Sequence, residues 1–214
     1  MSQTLELPPT KPPIPPSALG DDRMGQLLHK VAELMARDGF AATSMRDVAK
    51  ATELSPAGVY HHFASKQDLL YQLQLRVFTS LLDALAQAEP GVVDPTERLR
   101  ALVHRYLAFF TAHSAELRVC TFELQSLDGA QYRDVERLRR RLFKQFATVV
   151  EGLAAARGET LSGEAVRHRT LFVFGALNWV FMWFNPVRDA PAEALGDRLC
   201  DLVLDGIGGR PDGR

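Results

Sequence analysis

The stretch Thr43-Ser44-Met45-Arg46-Asp47-Val48-Ala49-Lys50-Ala51-Thr52-Glu53-Leu54-Ser55-Pro56-Ala57-Gly58-Val59-Tyr60-His61-His62-Phe63-Ala64-Ser65-Lys66 carries three serines, Ser44, Ser55 and Ser65, each placed to start a helix. Ser44 has Asp47 three positions on, the spacing of a capping box. Ser55 precedes Pro56, whose missing N–H is one that no intrahelical partner would use. The spacing predicts two short helices, Met45–Thr52 and Pro56–Phe63, and a longer one from Lys66 to about Ala88. Two short helices joined by a three-residue turn have the dimensions of a helix-turn-helix.

Upstream, Asp22 to Asp38 places Leu27, Leu28, Val31, Leu34 and Met35 on one helical face, with Gly39 as its stop. Val48, Ala49, Leu54, Val59 and Phe63 supply the apolar wedge that holds the short pair against that helix. The opposite face of the second short helix then presents Ser55, Ala57, Gly58, Tyr60, His61 and His62. A helix lying in a major groove about 12 Å wide needs such a face: small residues allow close approach, and hydroxyl or imidazole groups reach phosphates and base edges. Arg46, Lys50 and Lys66 add cationic charge for the backbone. Tyr60 and Phe63 taken alone would as readily be core aromatics, and Phe63 is expected to be one. His61 and His62 point about 100° apart and cannot chelate one metal as an i, i+4 pair would, so no metal site is expected.

The run Gly39-Phe40-Ala41-Ala42-Thr43-Ser44-Met45-Arg46-Asp47-Val48-Ala49, followed by Leu54 through Leu70, resembles the DNA-binding module of TetR-family transcriptional regulators over about fifty residues. The Tyr60-His61-His62-Phe63-Ala64-Ser65-Lys66 element with Thr43-Ser44 upstream carries the likeness. The resemblance implies phosphate contacts by Thr43, Tyr60 and Lys66 and groove contacts by Ser55, Ala57, Gly58 and His61, with Ser44 and Arg46 completing the expected set. It also implies a homodimer on a double-stranded operator, in which a larger helical module pairs the subunits and holds an effector cavity. The family commonly has glycine in the turn where this chain has Glu53; a positive φ there would cost a non-glycine residue on the order of 1 kcal/mol.

The rest of the 214 residues fits an all-α chain, since apolar positions recur at helical spacing without sustained alternation. Six of the twelve prolines lie between Pro8 and Pro16, so residues 1–20 are expected to form a disordered tail, without the basic start and apolar core of a secretory signal. Pro90-Gly91 and Asp94-Pro95 mark a break. The expected organisation is a DNA-binding module over 21–70, an effector and dimerisation module over 71–208, and a frayed end at 209–214. Helices are expected near Pro95–Ala112, Ser114–Ser126, Gln131–Ala156, Ser162–Phe184 and Pro191–Ile207. The formal charge of −1 excludes a wholly basic nucleic-acid-coating protein, leaving a local patch. Two cysteines, Cys120 and Cys200, form neither a disulfide framework nor a zinc site, which suits a reducing cytoplasm.

Leu171 to Phe184 holds six of the eighteen aromatic residues, yet fourteen residues span only about 21 Å, short of a bilayer core, so no membrane partner is expected. A helix apolar all round must be buried all round, against its own core and against a second subunit. Phe174 and Phe181, with Leu199 and Val203 of the last helix, are the expected dimer contacts. Phe109, Phe110, Phe122, Phe143, Phe146, Phe172, Met182 and Trp183 are candidate walls of an apolar effector pocket, although aromatics at this spacing are more often plain core. Asn178, the polar group of the run, must find a partner if buried, and would orient a ligand carbonyl, cap a neighbouring helix or bond across the dimer. Leu177-Asn178-Trp179 through Pro186 resembles an element of family members that sense acyl-CoA. The basic run Arg133, Arg137, Arg139, Arg140, Arg141 and Lys144 reads mainly as a solvated face, with a phosphate contact from one or two members as the sharper possibility.

A helical-bundle enzyme or lipid carrier without DNA is the competing class. Its support is thin: the chain offers the reversed His113-x-x-Glu116 and the spaced Glu164…His168 in place of paired Glu-x-x-His motifs, and Gly206-Ile207-Gly208-Gly209 lacks a strand before it. No cofactor and no catalytic group are expected.

Overall fold

A computed structural model describes residues 23–87, 91, 93–185, 187–189 and 191–205, with the Phe181 side chain excepted. The expected tail at 1–20 and frayed end at 209–214 lie outside the described residues. The elements are α1 (Arg23–Asp38), α2 (Met45–Thr52), α3 (Pro56–His62), α4 (Lys66–Ala86), α5 (Pro95–Ala112), α6 (Ser114–Phe122), α7 (Gly129–Ala156), α8 (Gly163–Asn178) and α9 (Ala192–Asp205), with short 3-10 turns at Leu124–Ser126 and Val180–Met182. Among the described residues there is no strand.

The helices start where the sequence places capping oxygens. Ser44, Ser55, Ser65 and Ser162 each accept a backbone N–H in the first turn that follows, and Asp94 accepts two, from Thr96 and Glu97, ahead of Pro95. The α1 helix ends at Gly39, whose φ of 85° is left-handed.

One continuous core joins the two parts of the chain. Val31, Val48, Val59 and Phe63 close the α1–α3 cluster, and Leu69, Leu70, Leu73 and Val77 of α4 carry it onward to Leu99, Leu102 and Leu107 of α5. α9 lies along α5, where Gly196 admits the His104 ring: a Cβ at 196 would sit 3.2 Å from it. Arg100 bonds Asp201 at 2.8 Å and His104 meets Asp197 at 2.9 Å on the same seam.

Two expected helices are shorter than their apolar pattern. The predicted Ser114–Ser126 helix stops at Phe122, because α4 takes over the orphan carbonyls at its end: Gln74 Nε2 donates to Glu123 O at 3.1 Å and Gln67 Nε2 donates to Ser126 O. The predicted Ser162–Phe184 helix stops at Asn178 and tightens to a 3-10 turn. Beyond it Asn185 Oδ1 accepts from Val187 N at 2.9 Å and Asp189 Oδ2 from Asn185 N at 2.7 Å, side-chain bonds that turn the chain where periodicity would have continued it.

Candidate nucleic-acid interface and effector cavity

The capping box at α2 closes fully. Ser44 Oγ accepts from Asp47 N, and the Asp47 carboxylate accepts from both the Ser44 backbone and its hydroxyl, at 2.9 and 2.6 Å. Those bonds hold the Asp47 carboxyl below its ordinary pKa. At the other end Glu53 is left-handed, φ 59° and ψ 26°, and Leu54 N reaches back to Ala49 O at 3.0 Å. The Glu53 carboxylate turns toward α1 and pairs with Lys30 at 2.9 Å, which lowers its pKa. The turn therefore has the geometry that glycine would adopt without strain.

Val59 and Phe63 are wholly buried, which fixes the rotation of α3 and turns its other face outward. On that face Ser55, Ala57 and His61 are exposed and Tyr60 is 56% exposed, a large fraction for an aromatic residue on a short helix. Gly58 keeps this surface low: Ser55 Oγ accepts its N–H at 3.0 Å, and a Cβ there would stand 3.3 Å from that oxygen. Arg46 and Lys50 are exposed beside it on α2.

Two residues of the expected DNA-contacting set are employed elsewhere. Thr43 is buried and its hydroxyl donates to Gly39 O at 2.8 Å. Lys66 Nζ donates to the carbonyls of Phe40 at 2.8 Å and Ala41 at 3.1 Å and lies 4.6 Å from the Phe40 ring centre. Both pin the loop between α1 and α2, which sets the angle at which α3 is presented. Of the ammonium's three donors, two are taken within the chain.

Behind this module lies a cavity of about 460 Å³ between α4, α5, α6, α7 and α8. Phe78, Leu117, Leu142, Phe143 and Phe174 form apolar walls, and Tyr106, Asn178 and Arg139 provide polar groups. Tyr106 Oη donates to Asn178 Oδ1, which answers what the buried end of α8 bonds to. Burial pushes the Tyr106 hydroxyl and the Cys120 thiol up, and the nearby Arg139 cation eases both.

The candidate pocket and dimer residues fall in several places. Of the pocket candidates, Phe143 and Asn178 line the cavity. Phe146 is buried behind it against Phe174, with ring centres 4.8 Å apart, and Phe109 is core beside His113. Phe122 is exposed at a shallow cleft with Met35 and Arg37 of α1. Phe172 is 77% exposed, and Met182 and Trp183 are about half exposed. Phe174, expected at the dimer face, instead lines the cavity and stacks on Phe143, while Leu199 is buried against its own subunit. The reason is a rotation of α8: Val173 and Leu177 are its buried stripe, which carries Phe174 inward and Phe172 outward. Val203 remains on the outer surface, sharing with Phe172, Ala176 and Leu202 a groove of about 560 Å³. Phe181 lies outside the described side chains.

Sequence reasoning missed Phe78, Tyr106 and Cys120, each on a helix whose apolar periodicity it merely continues, and named Arg139 only as one of a basic run without singling it out. Arg137 and Arg140 pair with Asp134 and Glu136 on the surface of α7, as a solvated face would.

The α1–α6 contact holds a further polar cluster. His29 Nδ1 is 2.7 Å from Glu116 Oε1, and His113 Nδ1 is 3.9 Å from the same oxygen. Glu116 is buried and its Oε2 has no hydrogen-bond partner among the described residues. Among the described residues no group of three or more His, Cys, Asp or Glu is arranged to hold a metal, and no helix is long and apolar enough to cross a membrane.

Comparison with known proteins matches residues 27–73 to the family of bacterial regulatory proteins, tetR family, and residues 92–207 to the tetracyclin repressor-like C-terminal domain. The nicotine-responsive transcriptional repressor HdnoR of Paenarthrobacter nicotinovorans is 26% identical over 87% of this chain and 96% of its own length. The transcriptional repressor KstR2 of Mycobacterium tuberculosis is 28% identical over 87% of this chain and 94% of its own. Among solved structures, the TetR-family regulator PfmR of Thermus thermophilus superposes with a TM-score of 0.76 at 29% identity, over 87% of this chain and 99% of that one.

Proposed function

Because the chain belongs to the TetR family of transcriptional regulators, whose members are regulators and not enzymes, we propose that it is a homodimeric, ligand-relieved repressor whose effector is an apolar acyl compound such as a long-chain acyl-CoA. The observation that carries this reading is the pairing of an outward-facing α3 with an apolar-walled cavity across one shared helix, α4. Repression is the role named for HdnoR and KstR2, which align over most of the chain.

On DNA, α3 lies in the major groove with Ser55, Ala57, Gly58 and His61 toward base edges and Tyr60 toward the backbone. Ser44 and Arg46 sit at the flank, and Thr43 and Lys66 act mainly by holding the α1–α2 loop. From Asp21 to Leu73 there are six Lys/Arg against seven Asp/Glu, so affinity rests on where cations sit and on two subunits doubling each contact. The dimer face is the outer surface of α8 and α9. There Phe172, Trp179 and Leu202 are exposed together, an apolar patch that a soluble monomer rarely leaves open. An effector favouring a spacing of the two α3 helices that no longer matches half-sites one helical turn apart, roughly 34 Å, releases the operator.

The cavity also carries a charge balance that bears on the class of effector. Its described cations, Arg139, Arg140 and Arg167, outnumber Glu136, which already pairs with Arg140. That balance disfavours a basic amine and favours a neutral or anionic effector.

A gel shift with the DNA upstream of the protein's own coding region, with and without palmitoyl-CoA, tests the reading. Expected are a specific complex, its loss in Tyr60→Ala with an unchanged melt, and its release by the thioester. Failure to retain any specific fragment at low salt would sink the repressor; binding unaffected by the thioester would remove that effector alone.

A further inference from the structure

Arg139 differs from its neighbours on α7. Arg137 and Arg140 each reach an acidic partner on the helix surface, whereas Arg139 turns into the cavity. Its guanidinium carbon lies 5.4 Å from the Phe78 ring centre, and its closest polar contact is the Cys120 carbonyl at 3.5 Å, the outer limit of a hydrogen bond. Among the described residues no carboxylate comes within ion-pair distance of it. A guanidinium half withdrawn from water, facing a ring and one distant carbonyl, gives up hydration without the bidentate partner that its planar fork fits best. In the same lining Tyr106 occupies Asn178 Oδ1, which leaves the Asn178 amide N–H groups as donors.

We infer that Arg139 is the anion anchor of the cavity, so that its ligand is an apolar molecule carrying one carboxylate or phosphate group, held by the fork of Arg139 with its body against Phe78, Phe143 and Phe174. This rests on the cavity being the effector site and adds to it the charge of the effector and the residue that reads that charge. Arg140 and Arg167 line the cavity as well, but Arg140 is neutralised by Glu136 at 2.6 Å and Arg167 is exposed, so an anion at either is screened by water. Arg139 is partly buried and has no acidic partner among the described residues, so of the three its charge is the least compensated. A carboxylate can come from a free acid and a phosphate from the CoA part of a thioester, and the two sources are separable.

Isothermal titration of the full-length protein with decanoate, decanoyl-CoA and decan-1-ol provides the test. In the unmodified protein at least one anionic probe binds tenfold or more tighter than the alcohol, in keeping with a charge-assisted pair. In Arg139→Met that gap collapses while decan-1-ol affinity stays within about twofold, since the apolar walls are intact. Loss confined to decanoate identifies a carboxylate at Arg139, and loss confined to decanoyl-CoA identifies a phosphate. A gap that survives Arg139→Met, or one that disappears only in Arg140→Gln or Arg167→Gln, overturns the assignment. So does the absence of any gap in the unmodified protein, although the cavity then still stands as the effector site. If none of the three probes binds, the effector reading falls and the anchor with it. Arg139→Gln carries the same comparison should Arg139→Met lose its cooperative melt.

Discussion

Glu53 stands in left-handed backbone because the bond from Leu54 N to Ala49 O closes α2 and turns the chain into α3, whatever side chain occupies the position. A non-glycine residue there costs roughly 1–2 kcal/mol. The pair with Lys30 is exposed to solvent and offsets little of that. Glu53→Gly is therefore expected to raise stability by something under about 1 kcal/mol, read as a small upward shift of the denaturant midpoint with unchanged slope. A lower midpoint would mean that the Lys30 contact outweighs the strain. At this scale much was legible: the serine caps, the capping box and the buried face of Val59 and Phe63 follow from local chemistry. The employment of Thr43 and Lys66 was not, because their partners are carbonyls of Gly39, Phe40 and Ala41, made available only by the path of a loop.

Between elements, the contact of α1 with α6 ties the DNA-facing module to the cavity walls, and its polar centre titrates. The hydrogen bond that His29 donates to Glu116, opposed by burial, raises the His29 pKa above 6.5. Burial alone would push Glu116 up, but bonds from His113 and His29 outweigh it and hold the carboxyl below 4.5. The two signs define a window. His29, with its folded pKa raised, contributes stability that is complete below 6.5 and is lost as pH rises through the raised value. Glu116, with its folded pKa lowered, contributes stability that is complete above 4.5 and is lost as pH falls through the depressed value. The clamp is thus strongest between pH 4.5 and 6.5 and weakens above it. Thermal melts from about pH 6 to 9 should show a decline that His29→Gln flattens; a variant with the same slope as the unmodified protein would exclude His29 as its source. The reversed His113-x-x-Glu116 pair, weighed in the sequence as a metal motif, belongs to this junction.

For the whole molecule, the outer surface of α8 and α9 is the proposed dimer face. Phe172 at 77% exposure makes few contacts within its own subunit, so Phe172→Glu should leave the monomer's melt nearly unchanged, within about 0.5 kcal/mol. Placing a charge in an apolar interface should nevertheless shift sedimentation from dimer to monomer and weaken operator binding at least tenfold. A variant that stays dimeric would move the interface away from Phe172. Phe174→Glu, by contrast, should destabilise the fold itself, since that ring packs on Phe143, Phe146 and Tyr106.

The sequence by itself determined the all-α class, where most helices begin, the turn that sets α3 and the face α3 offers, since caps, proline and apolar spacing act within a few residues of one another. It also carried the family likeness over residues 39–70. The tertiary structure alone decided where α6 and α8 stop, which way α8 is rotated, and hence that Phe174 belongs to the cavity and Phe172 to the surface. Periodicity in a helix apolar on every side contains no preferred direction. Only packing against α5 and α7, with Tyr106 fixing Asn178, supplies one. The same packing turned one arginine of a surface run, Arg139, into the cavity while its neighbours stayed with their acidic partners.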